Sequence, residues 1–150
     1  MIRKASAVWH GDLKTGKGSI STPSGVIKDT AYTDIAYTFS TRFEDKHGTN
    51  PEELIAAAHA SCFAMALSAD LAKAGLHPQR VDATAAITLE HKDGKPTITK
   101  SHLTVKAHVP GADHAKFMEI ANGAKSGCPI SRLLNAEITM DATLETTVKV

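Results

Sequence analysis

TNPEELIAAAHASCFAMALSADLAKAGL, residues 49–76, is the stretch that decides the fold. It reads as one long helix. Asn50 suits the N-cap, and Pro51 suits the first helical position, where a missing N–H costs nothing. Glu52 and Glu53 fall in the first turn, where acids favour the positive end of the helix dipole. Lys73 falls in the last turn, and Gly75 can take the left-handed conformation that closes a helix. No Asp, Glu, Lys or Arg occurs from 54 to 69. A helix apolar all round is a buried helix. Its length and its Ser, His and Ala content argue against a membrane span. Inside it lies Cys62, one of two cysteines.

Around this helix the chain reads as strands. Residues 2–10 suit a strand, with Ile2, Val8 and Trp9 as its larger apolar side chains. Gly11 to Gly18 is polar and glycine-rich, hence a turn. Residues 19–28 suit short strands broken at 23–25, and 29–35 read as loop. Residues 37–43 alternate, with Tyr37, Phe39, Thr41 and Phe43 on one side and Thr38, Ser40 and Arg42 on the other, which predicts a strand.

Beyond the helix, residues 81–90 alternate strictly, and Asp93-Gly94 supplies the positive φ angles of a hairpin turn. The return strand, 97–109, slips parity between Ile98 and Leu103, which predicts a bulge near Ser101. Residues 113–125 read as a helix with Ala115, Met118, Ile120 and Ala121 inward. Gly127 stops it, and Pro129 opens a short helix to Leu134. Residues 137–150 alternate again, through Ile138, Met140, Ala142, Leu144, Thr146 and Val148. The layout argues α+β and a single domain over 1–150.

Composition narrows the function classes. A net charge of +1 gives no electrostatic reason to expect nucleic acid or an anionic membrane as partner. The N-terminus lacks an apolar signal core, which predicts a cytoplasmic protein. There a lasting structural disulfide is not the default, and a transient catalytic or redox-sensing one is the usual exception. The alanines at 56, 57, 58, 60, 64, 66 and 69 put small side chains on every face of the long helix. A chain of this size would struggle to surround a ~36 Å helix. A second copy of the helix from a partner would solve this, so an intertwined homodimer is expected.

A reactive cysteine must be a thiolate. Burial opposes that, so a reactive Cys62 needs a cation brought to it. The helix dipole cannot help some three turns from the helix start. Cys128, just before Pro129, sits at a predicted helix N-terminus, so local physics names it the more acidic thiol.

TNPEELIAAAHASCFAMALS (49–68), SGCPIS (126–131) and STRFE (40–44) closely resemble the OsmC branch of the OsmC/Ohr family of peroxide reductases. The resemblance covers essentially the whole chain. It implies a thiol-dependent peroxidase acting on organic hydroperoxides, recycled by an external dithiol, with antiparallel strands flanking the long central helices in an intertwined dimer. It implies that Cys62 is the peroxidatic cysteine and Cys128 the resolving one. It implies that Arg42 lies beside the thiolate and that Glu52 holds Arg42. The family thus reverses the dipole argument about which thiol attacks. It calls for no metal, haem or flavin, and no motif for one occurs.

Spacing adds one constraint. Glu52 and Cys62 are ten residues apart, so ~15 Å along a straight helix. One guanidinium cannot bridge both, so either the helix bends or the Arg42–Glu52 pair comes from the partner subunit, the reading favoured here. Phe39, Phe43, Phe63 and Met65 are candidates for an apolar wall around an alkyl group. Plainer readings stand beside these: Cys62 as a small core residue, Cys128 as a helix-start residue, Arg42 as a polar strand position, Glu52 as a dipole partner, Glu53 as the capping partner of Asn50. His59 reads first as a hydrogen-bonded core histidine, then as a general base, and least as half of an H-x-x-C metal pair. A non-catalytic redox sensor or binding module using the same cysteines is the competing function.

Overall fold

In a computed structural model of the chain, which describes residues 1–25 and 39–145, the expected long helix is α2, Pro51–Lys73. Asn50 caps it, accepting from the Glu53 N–H at 2.9 Å. Gly75, with φ +76, follows its end. Glu53 is more than a capping partner: its carboxylate accepts from Ser24 Oγ (2.6 Å) and Thr49 Oγ1 (3.1 Å).

Among the described residues five strands form one sheet in the order β2-β1-β3-β4-β5. They are β1 (Ile2–His10), β2 (Lys17–Ser21), β3 (Arg80–Lys92), β4 (Lys95–His108) and β5 (Glu137–Glu145). The strict alternation of β3 is observed as burial: Val81, Ala83, Ala85, Ile87 and Leu89 face inward. The β3–β4 hairpin turns at Asp93 (φ 52) and Gly94 (φ 74), as the Asp-Gly pair predicts. Thr88 faces Lys100 but Leu89 faces Ile98, so Thr99 is the extra residue. The bulge is real, two residues before the expected Ser101.

Helix α2 lies across the buried face of β1 and β3. Phe63, Leu67 and Leu71 fill the space between helix and sheet, and Phe117 joins them from α3 (His114–Gly127). Phe117 was not among the expected inward positions, and Ala115, which was, is exposed. The capping Asp113 sets the phase, accepting from the Lys116 N–H at 2.9 Å and starting the helix where Phe117 turns inward.

Three expectations are corrected. Residues 39–43 are not strand but a short helix, α1 (Phe39–Phe43). Its terminal carbonyls find side-chain donors rather than a neighbouring strand. Thr41 O accepts from Arg3 Nη2 (3.0 Å) and Asn50 Nδ2 (3.2 Å), and Arg42 O also accepts from Arg3. A seven-residue alternation cannot foresee that. The flanking strands are not all antiparallel: β5 runs parallel to β4. A parallel partner needs a crossover, here α3 and then α4 (Pro129–Leu133). Phe63 is fully buried in the core rather than part of an apolar wall. The loop expected at 29–35, the strand residues 26–28, 37 and 38, and the end of the last strand at 146–150 lie outside the described residues.

Asn50 couples helix capping to the placement of α1. Asn50→Ala is expected to cost roughly 1–2 kcal/mol in urea unfolding, the usual loss for a buried cap. A loss below a few tenths would mean that the cap is dispensable.

Candidate active site

Cys62 lies in the middle of α2, half-buried. Cys128 sits at the joint between α3 and α4, fully buried. Its N–H closes α3 by donating to Ala124 O (2.9 Å), and its carbonyl opens α4 by accepting from the Arg132 N–H (3.0 Å). Its backbone is extended (φ −53, ψ 131), as a residue before proline prefers. The crossover that makes β5 parallel therefore carries Cys128 back over α2. Cys128 Sγ donates to Cys62 Sγ at 3.0 Å, across 66 residues of sequence. Both are free thiols. A disulfide needs ~2.05 Å between sulfurs, so closure requires about 1 Å of approach.

Burial pushes the Cys62 thiol up to about 11. The neighbouring Cys128 sulfur acts in the same sense, and the Ile130 backbone N–H acts against both. This is the penalty anticipated for a thiol in an apolar helix without a cation.

The cation stands elsewhere in the chain. Arg42 Nη2 donates to Glu52 Oε1 at 2.6 Å, and Arg42 Nε donates to both carboxylate oxygens at 3.1 and 3.2 Å. Glu52 is wholly buried, while the Arg42 side chain is 36% exposed. A buried carboxylate needs such a partner. Glu52 in turn raises the Arg42 pKa, so the guanidinium is held charged. The guanidinium lies 5.0 Å over the Phe43 ring, whose centroid is 5.0 Å from that of Phe39. The four expected residues thus assemble as two pairs. One chain joins sulfur to sulfur and guanidinium to carboxylate, and Arg42 makes its polar contacts with Glu52 rather than Cys62.

Residues 43–143 match the family model described as OsmC-like protein. The chain belongs to the OsmC-like family. Over 143 residues it is 49% identical to the protein named peroxiredoxin OsmC of Escherichia coli K12, covering 95% of this chain and 96% of that one. It is 32% identical over 98 residues to an organic hydroperoxide resistance protein of Xanthomonas axonopodis pv. citri, covering 65% of this chain and 67% of that one. Among solved structures, the OsmC-like protein VCA0330 of Vibrio cholerae superimposes with TM-score 0.61 at 16% identity (89% of this chain, 83% of that one). The organic hydroperoxide resistance protein OhrB of Bacillus subtilis does so with TM-score 0.56 at 23% identity (94% and 97%).

Within this OsmC-like fold, α2 is the one helix among the described residues long and apolar enough to cross a membrane. Its 23 residues would suffice for a span, so length does not argue against one. Its packing does: α2 lies on β1 and β3 and buries Glu52, Glu53 and His59.

His59 is fully buried, and both ring nitrogens have partners. Nδ1 lies 2.6 Å from Ser101 Oγ and Nε2 lies 2.8 Å from Ser131 Oγ. The core reading of this residue is the observed one. No group of three or more His, Cys, Asp or Glu able to hold a metal occurs among the described residues. Burial lowers the His59 pKa to about 4. The unfolded chain, titrating near 6.5, therefore takes up a proton before the folded one does. Stability present above pH 6.5 is lost as pH falls toward 4, by up to about 3 kcal/mol. Chemical denaturation across that range should show the loss, and His59→Gln should flatten this part of the curve.

Sequence reasoning missed Ser101 and Ser131 as partners of His59, and Arg3 as the residue that ties down α1. Ser131 lies inside the quoted SGCPIS motif and Ser101 beside the bulge, but no local rule gives a lone serine a partner. Met65, expected in an apolar wall, is 39% exposed and lines a cleft of about 270 Å³ with Trp9, Ile20 and Ala64.

Proposed function

We propose that this OsmC-like chain is a thiol-dependent peroxidase that reduces organic hydroperoxides to alcohols. The observation that carries this reading is the pair of free thiols 3.0 Å apart, brought together from α2 and the α3–α4 joint of one chain. The Cys62 thiolate attacks the distal oxygen of ROOH. The O–O bond breaks, the OH group passes to sulfur to give a sulfenic acid, and the departing alkoxide takes a proton from water to leave as alcohol. Arg42 stabilises the thiolate and the charge on the departing oxygen, with Glu52 holding the guanidinium in place. Cys128 then displaces hydroxide from the sulfenic acid, its own proton completing a water, and an S–S bond forms. An external dithiol reduces the disulfide by exchange.

The missing Arg42–Cys62 contact has a direct solution in an intertwined homodimer, each site taking Cys62 and Cys128 from one chain and Arg42 and Glu52 from its partner. The uncovered side of α2 supports this: Leu54 is 40% and Met65 39% exposed on an otherwise apolar helix. The apolar cleft beside Met65 and the exposed Phe39 and Phe43 favour substrates with an alkyl or aryl group over hydrogen peroxide. Cytoplasmic residence suits two cysteines that work by cycling between thiol and disulfide.

Turnover tests the function. With dithiothreitol present, the wild-type protein should consume many equivalents of cumene hydroperoxide per chain. Consumption that stops after about one equivalent would make it a sensor instead, since a sensor is not recycled to consume peroxide.

A further inference from the structure

The link between α2 and α4 has two rungs. Cys62 faces Cys128 at 3.0 Å. His59, three residues before Cys62, faces Ser131, three residues after Cys128, at 2.8 Å. Three residues is close to one helical turn, so the rungs are neighbours on facing surfaces. The redox rung changes during the proposed cycle, from two thiols to a sulfenic acid and then to a disulfide. The other does not. His59 and Ser131 have no part in the electron transfer, and both are buried, at 0% and 8% exposure.

Helix α4 has five residues, too few to hold its own shape in water. Its exposed Pro129, Arg132 and Leu133 do not anchor it. Ser131 is its buried residue and its polar contact, Ile130 packs half-buried against the core beside it, and the far side of the imidazole is held by Ser101 Oγ at 2.6 Å, on β4. One ring thus ties the sheet, the long helix and the segment carrying Cys128. A neutral imidazole donates from one nitrogen and accepts at the other, and a serine hydroxyl can do either, so the chain Ser101–His59–Ser131 is satisfied in both tautomers.

We infer that His59 is a positioning residue for Cys128: through Ser131 it keeps the second sulfur in register with Cys62, so that disulfide closure outruns a second oxidation of Cys62. The inference rests on the peroxidase reading for its purpose, but not for its test. In glutathione redox buffer the reduced protein and one oxidised glutathione give the protein disulfide and two glutathiones. The equilibrium measures the effective concentration of one thiol at the other. Ser131→Ala removes one hydroxyl and no packing volume. It is expected to lower that concentration about tenfold, equivalent to ~1.4 kcal/mol. Ser131→Thr, which keeps the hydroxyl, should restore most of it. His59→Gln should lower it as well. During turnover with excess cumene hydroperoxide, Ser131→Ala should also accumulate Cys62 sulfinic acid faster, as a second peroxide oxidises the waiting sulfenic acid and leaves as alcohol. Melting curves identify the folded variants. An effective concentration within twofold of wild type in both Ser131→Ala and His59→Gln would overturn the inference. A wild-type protein inert to hydroperoxides would overturn the peroxidase reading instead, leaving the glutathione result to stand.

Discussion

Cys62→Ser is expected to consume no hydroperoxide at all. A serine hydroxyl at that position is smaller, harder and protonated at any workable pH, so it cannot displace alcohol from an O–O bond. Cys128 cannot take over, because it is sealed at 0% exposure in the joint of α3 and α4, whereas Cys62 is half-buried. The contrasting variant is Cys128→Ser. It should stop after about one equivalent per chain with Cys62 as sulfenic acid, or after about two where a second peroxide carries it to sulfinic acid. Mass spectrometry of the treated protein separates the two. An active Cys62→Ser paired with a dead Cys128→Ser would invert the roles, as the helix-dipole argument alone would have them.

Arg42→Ala should lower turnover at neutral pH by about 10²–10³, the second large effect. The size follows from what the cation must do. Burial places the Cys62 thiol near 11, where almost none is ionised at pH 7. Each unit of depression requires about 1.4 kcal/mol. In the proposed dimer, a guanidinium brought to ~4 Å from Cys62 would contribute roughly 4 kcal/mol at an effective dielectric constant of 20, or about three units. Without it, the pH–rate profile of Arg42→Ala should rise steadily through pH 9 while that of wild type has levelled off. Glu52→Gln should show a milder form of the same shift, because Arg42 keeps its charge but loses its anchor. Equal profiles for wild type and Arg42→Ala would remove Arg42 from the site. Mixing decides the shared site. If the site is shared between subunits as proposed, Cys62→Ser and Arg42→Ala chains, each inactive, would regain roughly a quarter of wild-type activity on random re-pairing, because half of such dimers would hold one complete site. No recovery after verified exchange would place the whole site within one chain.

The parts of this protein that could be read from residues in order are those whose causes are local. Asn50, Pro51 and Gly75 bracket α2 because capping and proline stereochemistry act within a few residues. Asp93-Gly94 closes the β3–β4 hairpin because positive φ suits those residue types. The inward faces of β3 and β5 follow from strict alternation. Cys62, Cys128, Arg42 and Glu52 became candidates through motif resemblance, which composition and periodicity do not provide. The dipole argument taken alone favoured the other sulfur.

Contacts between distant segments lay beyond such reading. The alternation of residues 37–43 suggested a strand, yet 39–43 coil into α1, whose carbonyls take donors from the Arg3 and Asn50 side chains. Strand β5 alternates cleanly, but alternation is the same in parallel and antiparallel pairs, and only the α3–α4 crossover makes it parallel to β4. Phe63 sits next to Cys62 in sequence and points into the core, because neighbours on a helix diverge by about 100°. The 3.0 Å between two sulfurs and the pairing of His59 with Ser101 and Ser131 join segments 66, 42 and 72 residues apart. Local rules bound the elements, and packing alone sets which of their side chains meet.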